Sequence, residues 1–250
     1  MTRFLFVHGD REYLRAPGDR LETDLGVLEV PGDVAHGDRL ETHLGEPFEV
    51  RRLRGPDLFN HLERTGAPMM PRDVGLVVGL CGLESGDRVL DAGTGTGVLA
   101  AYLGRIGADV TTYERDPEFA AVARENMGTA GVADRVEVRE GDLTGALDDL
   151  VADRADGPDG GFDVCTLDTA DAPTVAGRAP DLLVDGGYLA AYCPFVEQAR
   201  DVERSAREAG LSAVGTRETI QREMDFDDRG SRPSTAGVGH TGYLITGRNV

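Results

Sequence analysis

No lysine occurs in the 250-residue chain; all 26 basic side chains are arginine, set against 45 aspartates and glutamates, for a net charge of −19. Cysteine is scarce: Cys81, Cys165 and Cys193 stand far apart and form no C-x-x-C pair. That spacing excludes a thiolate zinc site and a disulfide framework, and it predicts three buried apolar thiols and no metal. Long apolar runs are missing as well. No stretch reaches the roughly 18 uninterrupted apolar residues of a membrane span, and no basic segment leads into an apolar run with a cleavage site. The expectation is a soluble, cytoplasmic protein with no membrane partner.

The acid excess carries its own expectation. Such a surface repels nucleic acid and works against the compact state by self-repulsion. In multimolar salt the Debye length falls to about 3 Å or less, and the repulsion is screened. The composition therefore predicts a halophile's protein. GC-rich codon usage is the alternative; it accounts for the absent lysine but less readily for the surplus acid.

The length suits one α/β domain of roughly 150–200 residues plus something smaller. Residues 1–54 read as the smaller, β-rich unit, with short runs at Phe4–Val7, Tyr13–Leu14, Leu28–Val30 and Phe48–Leu53 broken by Gly, Pro and Asp. A near-repeat lies inside it: Gly18-Asp-Arg-Leu-Glu-Thr-Asp-Leu-Gly26 returns as Gly37-Asp-Arg-Leu-Glu-Thr-His-Leu-Gly45. Two similar hairpins of a small barrel would explain it, and so would local duplication. Residues 55–71 read as a linker with short helical potential.

From residue 72 to 250 the pattern alternates between strand and helix. Helices are predicted over Arg72–Leu80, from Val98, over Pro117–Met127 with Gly128 as its stop, over Ala176–Leu183 closed by Asp185-Gly-Gly187, and over Val196–Ala209. Strands are predicted at Arg88–Leu90, Val110–Tyr113, Val136–Val138, Phe162–Leu167 and Tyr188–Tyr192. The tail, Ser212–Glu223 and His240–Thr246, reads as two strands joined by a polar loop. The fold class is α/β: a Rossmann-like, mostly parallel sheet with helices on both faces, preceded by a small all-β domain.

Candidate chemistry sits at the predicted strand ends. Val89-Leu-Asp91-Ala-Gly93-Thr94-Gly95-Thr-Gly97-Val98-Leu99 runs from strand through a glycine loop into a helix, whose free N–H groups suit a polar ligand. Val98 stands where a dinucleotide enzyme needs its third glycine, which argues against NAD. Asp91 ahead of the loop suits a cationic ligand. Glu114, ending the next strand, can accept two ribose hydroxyls. Asp142, after the third strand, can accept from an adenine amino group or serve as a helix cap. Asp168 follows the fourth strand, where an N-cap is the alternative role.

The segment from Asp91 to Asp142 resembles the class I S-adenosylmethionine-dependent methyltransferases. The resemblance implies a cofactor site of Asp91, Gly93, Thr94, Gly95, Gly97, Val98 and Leu99, with the loop taking the methionine part. It gives Glu114 the ribose, Asp142 with Leu143 the adenine, and brings Asp168 alongside. Three further segments resemble the tRNA (adenine-N1)-methyltransferases that modify the T-loop, in their archaeal branch. They are Arg64-Thr-Gly-Ala-Pro-Met-Met70-Pro-Arg-Asp73, Cys165-Thr-Leu-Asp168-Thr-Ala-Asp171-Ala-Pro173, and Arg232-Pro-Ser-Thr-Ala-Gly-Val-Gly-His240-Thr-Gly-Tyr243. The family implies transfer to adenine N1 at tRNA position 58, with position 57 left open, by a homotetramer. Its catalytic aspartate falls on Asp168, and Met70, Arg232 and His240 become substrate-facing candidates.

The physical case for Asp168 is separate. A carboxylate accepting from the exocyclic N6 amine raises electron density at N1 and stabilises the positive charge that methylation creates. His240 reads as a satisfied structural histidine or a wall of the base pocket rather than an acid-base group. The chain departs from the family at Ala67 and Met70, where members carry Gln and Tyr, and at Ala170-Asp171-Ala172 ahead of Pro173. Those departures concern the base pocket, not the cofactor. Arg51, Arg52 and Arg54 and, nearer the C-terminus, Arg217, Arg222, Arg229 and Arg232 are the candidate RNA contacts. The rival readings are a protein-L-isoaspartate O-methyltransferase and a non-catalytic RNA-binding subunit with a methyltransferase fold.

Overall fold

The computed structural model describes residues 3–155, 160–237 and 239–250. Met1 at the head of the predicted β unit and Val238 in the Arg232–Tyr243 segment lie outside the described residues. Two compact units make up the chain, residues 1–74 with 94–140 and residues 75–93 with 141–250.

Six strands open the chain: β1 (Phe4–His8), β2 (Arg11–Arg15), β3 (Arg20–Thr23), β4 (Gly26–Glu29), β5 (Arg39–Glu41) and β6 (Pro47–Arg52). They form a sheet in the order β2-β1-β6-β5 and a separate β3-β4 hairpin. Phe6, Leu21, Leu28, Val30, Val34, Phe48 and Val50 make their common core. The repeat is one turn built twice. Asp19 and Asp38 accept from the N–H of Ala16 and Ala35 at 2.7 and 2.8 Å. Gly18 and Gly37 donate to the carbonyls of Val30 and Val50, whose N–H groups return the bond to Asp19 and Asp38. At the one differing position, Asp24 pairs with Arg11 and His43 Nδ1 instead accepts from Val27 N. The copies thus share the turn's bonds at Ala16–Asp19 and Ala35–Asp38 and part company beyond it, where His43 N donates to Val27 O and the Thr42 hydroxyl to Leu25 O.

The remaining elements in chain order are α1 (Gly55–His61), α2 (Pro71–Cys81), β7 (Arg88–Ala92), α3 (Val98–Ile106), β8 (Asp109–Glu114), α4 (Pro117–Ala130), β9 (Val136–Glu140) and α5 (Leu143–Ala155). Then follow β10 (Phe162–Leu167), α6 (Ala172–Ala176), α7 (Ala179–Leu182), β11 (Leu183–Cys193), α8 (Val196–Glu208), β12 (Ser212–Glu218), β13 (Met224–Asp227), β14 (Gly230–Pro233) and β15 (Tyr243–Arg248). The large sheet has seven strands in the order β12-β15-β11-β10-β7-β8-β9. β10 pairs parallel with β7 and β11 and β8 with β9, while β15 runs antiparallel to both β11 and β12, so the sheet is mostly parallel as predicted.

Four local expectations are corrected. Gly128 does not end α4; the helix runs on through Thr129 and Ala130 to Gly131, whose φ of 72° supplies the left-handed cap. The predicted helix 176–183 is two short ones, because Pro173 and Pro180 each open a new first turn. Asp185-Gly186-Gly187 lies inside β11 and is absorbed by a register shift, Phe162 pairing Leu183 while Val164 pairs Tyr188. The polar loop in the tail contains the β13-β14 hairpin, closed where Asp227 accepts from Arg229 N at 2.8 Å. The three cysteines are buried as expected. Burial pushes the Cys81 and Cys193 thiols up to about 12, so neither is a thiolate at neutral pH.

Among the described residues no helix is long and apolar enough to cross a membrane, and no group of three or more His, Cys, Asp or Glu could hold a metal ion.

Candidate cofactor and active site

After β7 the chain leaves for β8 and β9, then returns to lay β10 on the opposite side of β7. The carboxyl ends of β7 and β10 are therefore the switch point of the sheet, where α/β folds open a crevice. Register places Thr166 opposite Asp91 and Leu167 opposite Ala92. Asp168 N then donates to Ala92 O at 2.8 Å, carrying the pairing one residue beyond the strand.

Gly93 follows with a φ of 88°, and a Cβ there would lie 2.0 Å from Asp168 O and 2.6 Å from its carbonyl carbon. No other residue type lets the Asp168 backbone come this close. Asp91 is 4% exposed and accepts the Thr166 hydroxyl. Gln198, on α8, donates from Nε2 to Thr169 O at 2.8 Å and holds the loop that follows Asp168.

The Asp168 side chain has open surface, yet protein crowds it and the Asp91 carboxylate stands nearby. Crowding first, and the like charge second, push its carboxyl up to about 7. A carboxyl raised in the folded state favours folding below its ordinary range, and that contribution is lost as pH rises through about 7. Asp168→Asn should therefore melt above the parent at pH 8, with the gap closing as pH falls towards 5. Melting curves across that range in concentrated KCl check this, and a gap independent of pH would contradict it.

Gly95 N donates to Glu114 Oε2 at 2.9 Å and Asp116 N to Oε1 at 3.1 Å. Glu114 is 7% exposed, so its carboxylate is fixed by one backbone donor per oxygen and keeps lone pairs for two further donors. Thr94 and Thr112 join hydroxyls at 2.5 Å in the interior. Gly97 caps α3 with a φ of 81°, and Val98 is buried as the helix begins, with Leu99 next.

Asp142 is exposed, and its Oδ1 takes both Thr144 N and Thr144 Oγ1 at 2.8 Å. The cap role weighed for it is thus one it performs, at the start of α5. Leu143 beside it is buried.

Of the substrate-facing candidates, Met70 is half-buried and its carbonyl accepts Asp73 N and Val74 N as α2 begins. Arg232 lies exposed on β14, 3.8 Å from the Asp225 carboxylate. His240 bonds Glu218 Oε1 through Nδ1 at 2.7 Å and Pro194 O through Nε2 at 3.2 Å. Both partners only accept, so the geometry suits donation from both ring nitrogens; the Glu218 bond first, then the carbonyl, raises its pKa. A ring with both nitrogens committed is a latch, not a base. Gly242 is needed beside it, since a Cβ would meet the Tyr192 ring at 2.6 Å.

Several candidate RNA arginines are engaged within the chain: Arg51 with Glu49, Arg229 with Asp227, and Arg217 with Thr246. Two buried or bridging amides, Gln198 and Asn126, are absent from the residues predicted for the site. Neither has a local signal, because their partners lie 29 to 63 residues away in sequence.

Comparison with known proteins agrees with this geometry. The family model for a methyltransferase domain matches residues 89–187. Methanocaldococcus jannaschii TrmI, a tRNA (adenine(57)-N(1)/adenine(58)-N(1))-methyltransferase, is 31% identical over 263 aligned residues, covering 96% of this chain and 92% of the relative. Two solved structures share the fold. An S-adenosylmethionine-dependent O-methyltransferase from Thermotoga maritima superposes with TM-score 0.78 at 25% identity, covering 100% of this chain and 93% of the other. TrmI from Aquifex aeolicus gives 0.73 at 24%, covering 99% and 96%. The protein-L-isoaspartate O-methyltransferase of Thermococcus onnurineus is 48% identical, but over only 30% of this chain and 34% of the relative. A likeness that runs through the β unit, the glycine loop, Asp168 and the C-terminal strands is of a different order from one confined to a third of the chain, and by it the chain belongs to the TrmI family of tRNA (adenine-N1)-methyltransferases.

Proposed function

We propose that this protein transfers a methyl group from S-adenosylmethionine to N1 of an adenine in the tRNA T-loop, at position 58 with position 57 as a second candidate. The observation that carries the reading is the contact of Gly93 with the Asp168 backbone, which sets a carboxylate directly beside the cofactor loop.

The donor set fits the cofactor. Glu114, with one backbone N–H on each oxygen, takes the two ribose hydroxyls. The Gly93–Gly97 loop with Thr94, Gly95, Val98 and Leu99 receives the methionine part, and Asp91 faces its cationic end. Asp142 and Leu143 take the adenine. Bound there, S-adenosylmethionine supplies an electrophilic methyl on a sulfonium.

Asp168 Oδ accepts a hydrogen bond from the N6 amine of the target adenine. N1 gains electron density, and the carboxylate offsets the positive charge left on the methylated ring. Orientation by the Thr169–Gln198 bond keeps the carboxylate at the strand end, so positioning supplies part of the rate. Met70, Arg232 and His240 are the substrate-facing candidates, with the His240 ring as a pocket wall rather than a proton acceptor.

The proposal extends to organisation. Residues 1–54 form a β domain, 55–71 a linker and 72–250 the catalytic domain of a cytoplasmic homotetramer adapted to high salt. Counterion release drives RNA binding poorly in such salt. Shape, stacking and hydrogen bonds from arginines such as Arg52 and Arg54 carry more of the recognition, and the base is extruded to reach the site.

Presenting labelled S-adenosylmethionine with unmodified tRNA transcript and with isoaspartyl peptide, in concentrated KCl, tests the acceptor. Label in the tRNA alone is the expected result. Label in the peptide and none in the tRNA would overturn the assignment in favour of the carboxyl methyltransferase.

A further inference from the structure

Asn126 is the most committed buried amide near the cofactor loop. It lies on α4 at 3% exposure. Its Nδ2 donates to Thr96 O at 2.8 Å and to Glu63 O at 2.9 Å, while its Oδ1 accepts Glu63 N at 3.0 Å. Two carbonyls on one side and an N–H on the other fix which end of the amide is which. A flipped amide would set nitrogen against the Glu63 N–H. Both amide hydrogens and the oxygen are used, a pattern that aspartate, serine or leucine cannot reproduce. Beside it, Thr65 N reaches Thr96 Oγ1 at 3.4 Å.

These bonds tie together three segments distant in sequence: the glycine loop at Thr96, the strap Glu63–Thr65 between α1 and α2, and helix α4. The strap runs five residues on to Met70, whose carbonyl starts α2. Fastening the strap at Glu63 therefore fixes where the Met70 segment departs from the cofactor loop. An unpartnered amide at this depth is costly, so the strap and the loop hold their places together or lose them together.

We propose that Asn126 is a positioning residue that couples cofactor binding to the ordering of the strap ahead of Met70. The coupling rests on the cofactor reading given above. In the parent, binding of S-adenosylhomocysteine slows amide exchange in the 62–70 segment. Asn126→Asp keeps size and the Glu63 acceptor but loses both donors. It raises KM for S-adenosylmethionine about tenfold, roughly the worth of one to two hydrogen bonds. It leaves kcat at saturation within about threefold and abolishes the added exchange protection.

The test is hydrogen exchange on the parent with and without S-adenosylhomocysteine, alongside calorimetric binding and steady-state kinetics of parent and Asn126→Asp in concentrated KCl. A folded variant with lower melting temperature but unchanged KM would reduce Asn126 to a structural residue and overturn the proposal. Should the variant not fold, the parent decides alone: binding without added protection of the strap overturns the coupling. No binding by the parent would instead remove the cofactor reading itself, and the coupling with it.

Discussion

Asp168→Ala lowers kcat for tRNA methylation by about 10³-fold, within the range that removal of a positioned acid-base or charge-stabilising group produces. It leaves cofactor affinity within a few-fold. The separation follows from where the residue is held. Its backbone, not its side chain, meets Gly93, through a carbonyl that alanine retains. Its N–H bond to Ala92 O is likewise kept. What alanine removes is the carboxylate proposed to accept from the N6 amine and to oppose the charge forming on the ring. A loss confined to kcat is the signature of an interaction made mainly in the transition state. Saturation kinetics with calorimetry of S-adenosylhomocysteine checks this; kcat within tenfold of the parent would take the carboxylate out of the chemistry.

Gly93→Ala is the most damaging single change expected in the cofactor loop. Two costs add. The backbone stays in the left-handed region at a φ of 88°, which L side chains rarely adopt, and the new Cβ lands 2.0 Å from the Asp168 carbonyl oxygen. Backbone on both sides leaves nothing to swing away. A cost of about 4 kcal/mol or more is expected, a melting temperature lower by roughly 10 °C at this chain length, and loss of cofactor binding in whatever remains folded. Gly97→Ala is the matched comparison. Its φ of 81° is equally strained, but the Cβ meets the terminal methyl of Met127 at 2.5 Å, the far end of a flexible side chain. About 1–2 kcal/mol is expected there, chiefly from the backbone. Melting curves for the two variants side by side decide; equal shifts would mean that the Asp168 contact is not what requires glycine at 93.

Much of this was legible in the sequence because its causes are local. The glycine loop, Glu114 and Asp168 each stand at the end of an apolar run, and strand-then-loop is a short-range pattern. The β unit was legible through its broken alternation, and the repeat through its near-identity, although only the structure shows that the Asp19 and Asp38 turns bond alike. Helix α5 was legible in the stripe of Leu143, Leu147, Leu150 and Val151 at i, i+4, i+7 and i+8, yet it is absent from the predicted elements. The Asp185-Gly-Gly187 stop was misplaced because a bulge, set by pairing with β10, outweighed the local turn signal. Asn126 and Gln198 were beyond reach: each acts through backbone groups brought to it by the tertiary fold, and nothing in Glu125-Asn126-Met127 or Glu197-Gln198-Ala199 marks the partner.

On the proposed function, Ala67 and Met70 concern where the base is received, while the strap's fastening at Glu63 concerns the cofactor. The methyl transfer chemistry at Asp168 does not depend on those two residues, so the position methylated on the base should be unchanged.

That position is the central claim, and nucleoside analysis of tRNA transcript after incubation with labelled S-adenosylmethionine in concentrated KCl measures it directly. 1-Methyladenosine from the T-loop is expected with the parent protein and almost none with Asp168→Ala. Cofactor binding with no methylated adenosine at any salt concentration, or methyl found on another atom of the base, would contradict it.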